Sequence, residues 1–171
     1  MNADDLARAQ GPLKERYRLN PNTAVAILEA RSLLGKDVHC TNTIQGFDIE
    51  LGLHPAAGGA SNNLCPGTVF LDSLSACAAI TMSAVSTYMG IEIRNGTITA
   101  KGELDLRGTL AVSAEAQVGF KRIDIQVELD TDASPEQIEA LLKSTEKYCV
   151  VLQTLRVQPE LTITSKTIGR A

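Results

Sequence analysis

The chain has 171 residues, 44% of them hydrophobic and 21% charged, with 20 acidic side chains, 16 basic ones and a net charge of −4. That is the balance of a globular chain long enough for one domain with a real core. The acidic excess, without a basic stripe or an aromatic platform, argues against nucleic acid or an anionic membrane as the main partner. Aromatic residues make up only 4% and Trp is absent, so aliphatic and small side chains must fill the interior. The start, Met1-Asn2-Ala3-Asp4-Asp5, is acidic where a secretory leader is basic, and a cytoplasmic location is expected. In that compartment four cysteines are expected free, catalytic or metal-bound rather than disulfide-bonded. There is no CxxC pair, and His39 and His54 fall in strand-like or loop segments, so neither a metal site nor a cofactor is expected.

In chain order, residues 3–17 suit a short polar helix with Leu6, Leu13 and Tyr17 on its sparse apolar side, ended by Asn20-Pro21-Asn22. Residues 24–30 read as a strand, residues 36–40 as a second, and residues 43–53 as a third with partial alternation. Residues 54–63 (HPAAGGASNN) have the composition of a loop. Pro66 opens a long central helix that stops near Met89-Gly90, proline suiting the first turn and glycine the end. Its Asp72, serines and threonine mark it as a buried helix rather than a membrane span. Residues 91–104 and 120–129 are strand-like, with a weaker strand over 111–118. Ser134, Pro135 and Gln137 form a near capping box that starts a second helix, read as running to Leu155. Residues 161–167 close the chain as a last strand. The order of elements predicts an α+β protein.

Two cysteines lie on the two helices. On a wheel at 100° per residue, Phe70, Ser73, Leu74, Ile80, Thr81, Ala84 and Tyr88 share the side of Cys77, while Met82 and Ser86 fall opposite. Ile138, Leu142, Thr145 and Gln153 share the side of Cys149, with Leu141 and Leu152 at its edge. Small residues all round the central helix predict that protein surrounds it on most sides and that a second copy can pack along it. Buried thiols of this kind are either inert packing groups or a dithiol that opens and closes.

The segment Pro66-Gly67-Thr68-Val69-Phe70-Leu71-Asp72-Ser73-Leu74-Ser75-Ala76-Cys77, with Thr145-Glu146-Lys147-Tyr148-Cys149-Val150 further on, resembles the OsmC/Ohr family of thiol peroxidases. The resemblance extends over roughly residues 24–167. It implies a single OsmC-like domain over residues 1–171, with residues 1–22 as a helical extension. The implied fold has a long central helix and a second helix packed with antiparallel sheets in an intertwined homodimer. It also implies a two-cysteine cycle. Cys77 attacks the O–O bond of an organic hydroperoxide, Cys149 resolves the sulfenic acid, and a dithiol such as dihydrolipoamide reduces the disulfide. Apolar walls would favour a small hydrophobic peroxide.

The sequence departs from that family at several points. The family places a glutamate directly after the proline, where this chain has Gly67, and often a proline after the second cysteine, where it has Val150. The arginine that pairs with the family glutamate has its nearest counterpart in Arg31. Glu146, one turn before Cys149, is an auxiliary candidate. So is Cys65, too far along the helix from Cys77 for a disulfide within one chain (about 18 Å) but able to approach a thiol of a second copy. His54 is expected to hydrogen-bond backbone, and Cys40 to belong to the core. Without the carboxylate, two alternatives to the peroxidase stand: a dimer that binds a small hydrophobic or thiol-bearing ligand, or thiol chemistry on a non-peroxide electrophile.

Overall fold

A computed structural model describes residues 1–167 and 169. Helix α1 (Ala3–Leu19) precedes a three-stranded antiparallel sheet, β1 (Ser32–Leu34), β2 (Cys40–Ile44) and β3 (Phe47–Leu51). The long helix α2 (Pro66–Met89) follows, then β4 (Asn95–Leu104), the single turn α3 (Leu106–Thr109), and β5 (Phe120–Asp130), which pairs antiparallel with β4. Helices α4 (Pro135–Tyr148) and α5 (Val150–Arg156) complete the order. The architecture is α+β, as the sequence predicted.

Helix α2 holds the site, and its sequence shows how a serine-rich segment becomes a core helix. Pro66 occupies its first position and Gly90 ends it at φ 65°, a left-handed value that favours glycine. The hydroxyls of Ser75, Thr81, Ser86 and Thr87 donate to carbonyls three or four residues back, so these polar groups are satisfied inside the helix. By length and composition the helix could cross a membrane. It instead lays a stripe of Leu74, Ala78, Met82 and Ser86 against β4 and α4. The central cluster is Met82, Ile91 and Leu141, packed against Val85, Ile93, Ile98, Val127 and Leu129. On β5 the half-buried Ile123, Ile125, Val127 and Leu129 alternate with exposed polar residues, the period-2 pattern of a one-sided sheet.

The wheel reading needs correction. Met82 and Ser86, placed opposite Cys77, are on the buried stripe, and Ile80, placed with it, is 74% exposed. The stripe follows a spacing of four residues, and a helix with small residues all round gives the wheel little contrast. Within one chain, α2 is therefore covered on one face and open on the other.

Several strand expectations also fail. Residues 25–31 lie outside any strand, with Ile27 93% exposed, and the first strand is Ser32–Leu34. Residues 36–39 form a turn, with Asp37 and Val38 at positive φ, so β2 begins only at Cys40. The single strand read over 43–53 is two strands. Gln45 and Gly46, at φ 48° and 86°, make a hairpin turn that brings Ile44 opposite Phe47. Residues 111–118 carry no strand, and residues 161–167 are exposed and lie outside any strand. The helices and the loop at 54–63 agree with the sequence reading, except that the second helix is interrupted at Cys149.

Candidate active site

The interruption builds the site. The Ser134–Gln137 capping box fixes the start of α4: the Gln137 N–H donates to Ser134 Oγ (3.3 Å) and the Ser134 N–H to Gln137 Oε1 (2.9 Å). Leu141, Thr145 and Cys149 then recur every four residues on its buried side, and Cys149 is fully enclosed. At Cys149 the backbone turns to φ −73° and ψ 110°, outside the helical region. Its N–H still donates to the Thr145 carbonyl (2.9 Å), while its carbonyl accepts from the Gln153 N–H (2.9 Å). Cys149 thus ends α4 and caps α5. The β-branched pair Val150-Val151 that follows weakens a continuous helix. The break exposes the first-turn N–H groups of α5, which have no partners within a helix, and these face Cys77 on α2.

Both thiols are free and adjacent, and their surroundings separate them. Burial pushes the half-buried Cys77 up, but the Val151 N–H, the Cys149 thiol and the Val150 N–H favour its thiolate more strongly. The net displacement is downward from the ordinary cysteine range. The Thr81 hydroxyl lies close as well, but its proton goes to the Cys77 carbonyl at 2.8 Å, which limits what it can offer the sulfur. Cys149 moves the other way. Burial pushes it up, and the neighbouring Cys77 adds to that rise, outweighing the N–H groups of Leu152 and Val151. The pair titrates as a unit: the first proton leaves Cys77, and Cys149 remains a thiol that donates toward it.

The other candidates lie elsewhere. Arg31 is exposed just before β1, and neither an arginine nor a carboxylate is among the groups that dominate the ionisation of Cys77. Glu146 pairs with Arg156 (2.6 Å), bridging α4 to α5 at the surface. Its carbonyl accepts from the Gln153 side chain (2.8 Å), so it braces the helix junction rather than touching a thiol. Cys65 caps α2 and, with Cys40, lines a separate apolar cavity of about 550 Å³ under the three-stranded sheet. Cys40, expected in the core, is half-buried in that wall. Gly67 lines this second cavity too, and a Cβ there would lie 3.6 Å from Cys65 Sγ and 3.7 Å from Phe120 Cζ. His54 accepts the Ala56 N–H at Nδ1 (3.1 Å), the backbone role expected of it. Sequence reasoning overlooked the Val150 and Val151 N–H groups. The only signal for them was the β-branched pair placed directly after a cysteine.

A family model described as OsmC-like protein matches residues 58–164, more than half of the chain and both thiols. No curated protein matches it. Among solved structures, an OsmC-like protein from Mycoplasma pneumoniae is similar at 19% identity and a TM-score of 0.65, over 77% of this chain and 88% of that one. An organic hydroperoxide resistance protein from Elizabethkingia anophelis is similar at 15% identity and 0.63, over 78% and 91%. The organic hydroperoxide resistance protein OhrB of Bacillus subtilis is similar at 21% and 0.53, over 78% and 94%. At these identities the structural likeness speaks to the fold alone. With the family model spanning both cysteine helices, the chain belongs to the OsmC-like protein family.

Proposed function

We propose that the protein is a thiol peroxidase that reduces small organic hydroperoxides through a Cys77/Cys149 dithiol–disulfide cycle. The observation that carries this is the pair of adjacent thiols displaced in opposite directions, Cys77 toward thiolate and Cys149 toward thiol. The Cys77 thiolate attacks the distal oxygen of R–O–OH. An S–O bond forms, the O–O bond breaks, and the alkoxide leaves and takes a proton as R–OH. Cys77 is now a sulfenic acid. The Cys149 sulfur attacks it, the S–O bond breaks, and water leaves as the disulfide forms. An external dithiol then reduces the disulfide and becomes a disulfide itself. Two named solved relatives are organic hydroperoxide resistance proteins, which supports this choice of oxidant.

The activating device in this reading is the start of α5 together with the Cys149 thiol. It takes the place of the carboxylate missing at Gly67. Backbone N–H groups held by the helix break need no reorganisation as charge develops on sulfur. The working form is a homodimer in the cytoplasm, with the open face of α2 covered by the second copy.

Stopped-flow mixing of the reduced protein with cumene hydroperoxide tests the proposal. Wild type consumes one equivalent rapidly and loses two thiols per chain. Cys77→Ser consumes none above background, and Cys149→Ala consumes peroxide but accumulates sulfenic acid that dimedone traps. Peroxide consumption by Cys77→Ser equal to wild type refutes it.

A further inference from the structure

An unbroken helix through Cys149 would send the N–H groups of Val150, Val151 and Leu152 to the carbonyls of Glu146, Lys147 and Tyr148, each four residues back. Among the described residues none of these three bonds is made. The bonds on either side survive. The Cys149 N–H still reaches the Thr145 carbonyl, and the Gln153 N–H the Cys149 carbonyl, both at 2.9 Å. The break therefore frees three donors and three acceptors. The donors lie against the thiols, Val150 and Val151 at Cys77, Val151 and Leu152 at Cys149.

The three acceptors differ in their surroundings. Lys147 and Tyr148 are exposed, so water can serve their carbonyls. Glu146 is half-buried, where a carbonyl without a partner is costly. A side chain restores its bond: Gln153 Nε2 donates to the Glu146 carbonyl at 2.8 Å, across the break. Gln153 thus stands where the Val150 N–H would stand in a continuous helix. With that bond made, the carbonyl no longer draws the Val150 N–H back into α4.

We infer that Gln153 is a positioning residue for the thiol pair: by satisfying the Glu146 carbonyl it holds the helix open at Cys149 and leaves the Val150 N–H to the Cys77 sulfur. The Glu146–Arg156 ion pair (2.6 Å) ties the same two helices at the surface, but it satisfies no backbone group. Its charges cancel beside the break, and among the groups that dominate the ionisation of Cys77 only Cys149 titrates. Replacing Gln153 by an uncharged side chain therefore alters the hydrogen bonding at the break and not its charge. The inference concerns Cys77 before any oxidant arrives. Only its consequence for turnover rests on the peroxidase reading.

Gln153→Met keeps the length and helix propensity of the side chain and removes its donor. In this variant the Glu146 carbonyl recaptures the Val150 N–H. The pH midpoint of Cys77 alkylation is expected to rise by roughly one unit, the size of one hydrogen bond to a charged group. Val150→Pro has no N–H to recapture, and its ring bars the continuous helix. Adding Gln153→Met to Val150→Pro should leave the Cys77 midpoint where Val150→Pro alone puts it. In the reduced full-length wild type labelled with 15N, the Val150 amide resonance should follow the ionisation of Cys77. An unchanged Cys77 midpoint in folded Gln153→Met overturns the inference. So does a rise that recurs undiminished in the Val150→Pro background, since Gln153 would then act by another route. So does a wild-type Val150 amide that ignores the Cys77 titration, a result that needs no variant to fold. The expected midpoints beside a failure to consume cumene hydroperoxide would uphold the role of Gln153 and refute the peroxidase alone.

Discussion

At the scale of single residues, the site is an asymmetry between two chemically identical side chains. Cys77 is half-buried and faces backbone N–H groups and a thiol; Cys149 is enclosed and faces a sulfur that ionises first. Because the Cys77 pKa is lowered, its thiolate persists to pH values below the ordinary thiol range and is lost only as pH falls through that lowered value. Alkylation by iodoacetamide, followed site by site by mass spectrometry, is therefore expected to show Cys77 reacting with a midpoint below that of free cysteine. Cys149 should react with one above it. Cys149→Ala removes a donor to the Cys77 sulfur and moves the Cys77 midpoint upward. Thr145 supplies a second residue-scale outcome. Thr145→Val deletes an unpaired buried hydroxyl at nearly constant volume, so urea denaturation should show a gain of about 1 kcal/mol. That Cys77 and Cys149 lie on two separate helical segments was legible in the sequence. Their unequal ionisation was not, because it comes from donors more than seventy residues from Cys77.

At the scale of elements, the helix break at Cys149 matters most. The sequence predicted one helix to Leu155, and capping signals did locate its start at Ser134. No proline or glycine marks the break, so punctuation alone could not find it. Cys149 already has the extended backbone that a residue before proline prefers, and Val150 is the first residue of α5, where proline is tolerated. Val150→Pro is thus expected to fold with stability within about 1 kcal/mol of wild type, by thermal denaturation. It deletes one N–H that faces Cys77, so the alkylation midpoint of Cys77 should rise while that of Cys149 changes less. A collapse of stability in this variant would show that the Val150 N–H serves the fold rather than the sulfur. The hairpin at Gln45-Gly46 is another element the pattern hid: two short strands with partial alternation read as one long strand until the turn is seen.

At the scale of the whole molecule, one chain leaves much apolar surface uncovered. Ile27, Leu28, Leu161 and Ile163 are each at least 87% exposed, on segments that lie outside any strand. Both segments were predicted as strands, and their β-branched sequences still suit strands. Apolar segments left uncovered in this way are surfaces for another chain, and the open face of α2, with Ile80, adds to them. Under the homodimer proposed above, sedimentation equilibrium should give twice 18.2 kDa. Ile163→Asp should weaken association by about tenfold or more, as expected for a charge placed in an apolar contact. A wild-type protein that sediments as a monomer at micromolar concentration would overturn the homodimer.

The sequence by itself determined the α+β class, the ends of α2 and the capping box of α4. Each of these depends on local chemistry: proline at a first turn, glycine past a last one, a side chain reaching its own backbone three residues on. Only the tertiary structure decided which face of α2 is buried, where the second helix breaks, and which groups lie against Cys77. Those depend on contacts between α2, α4 and α5, far apart in the chain. A small-residue helix carries too little amphipathic contrast for any periodicity to announce its buried face.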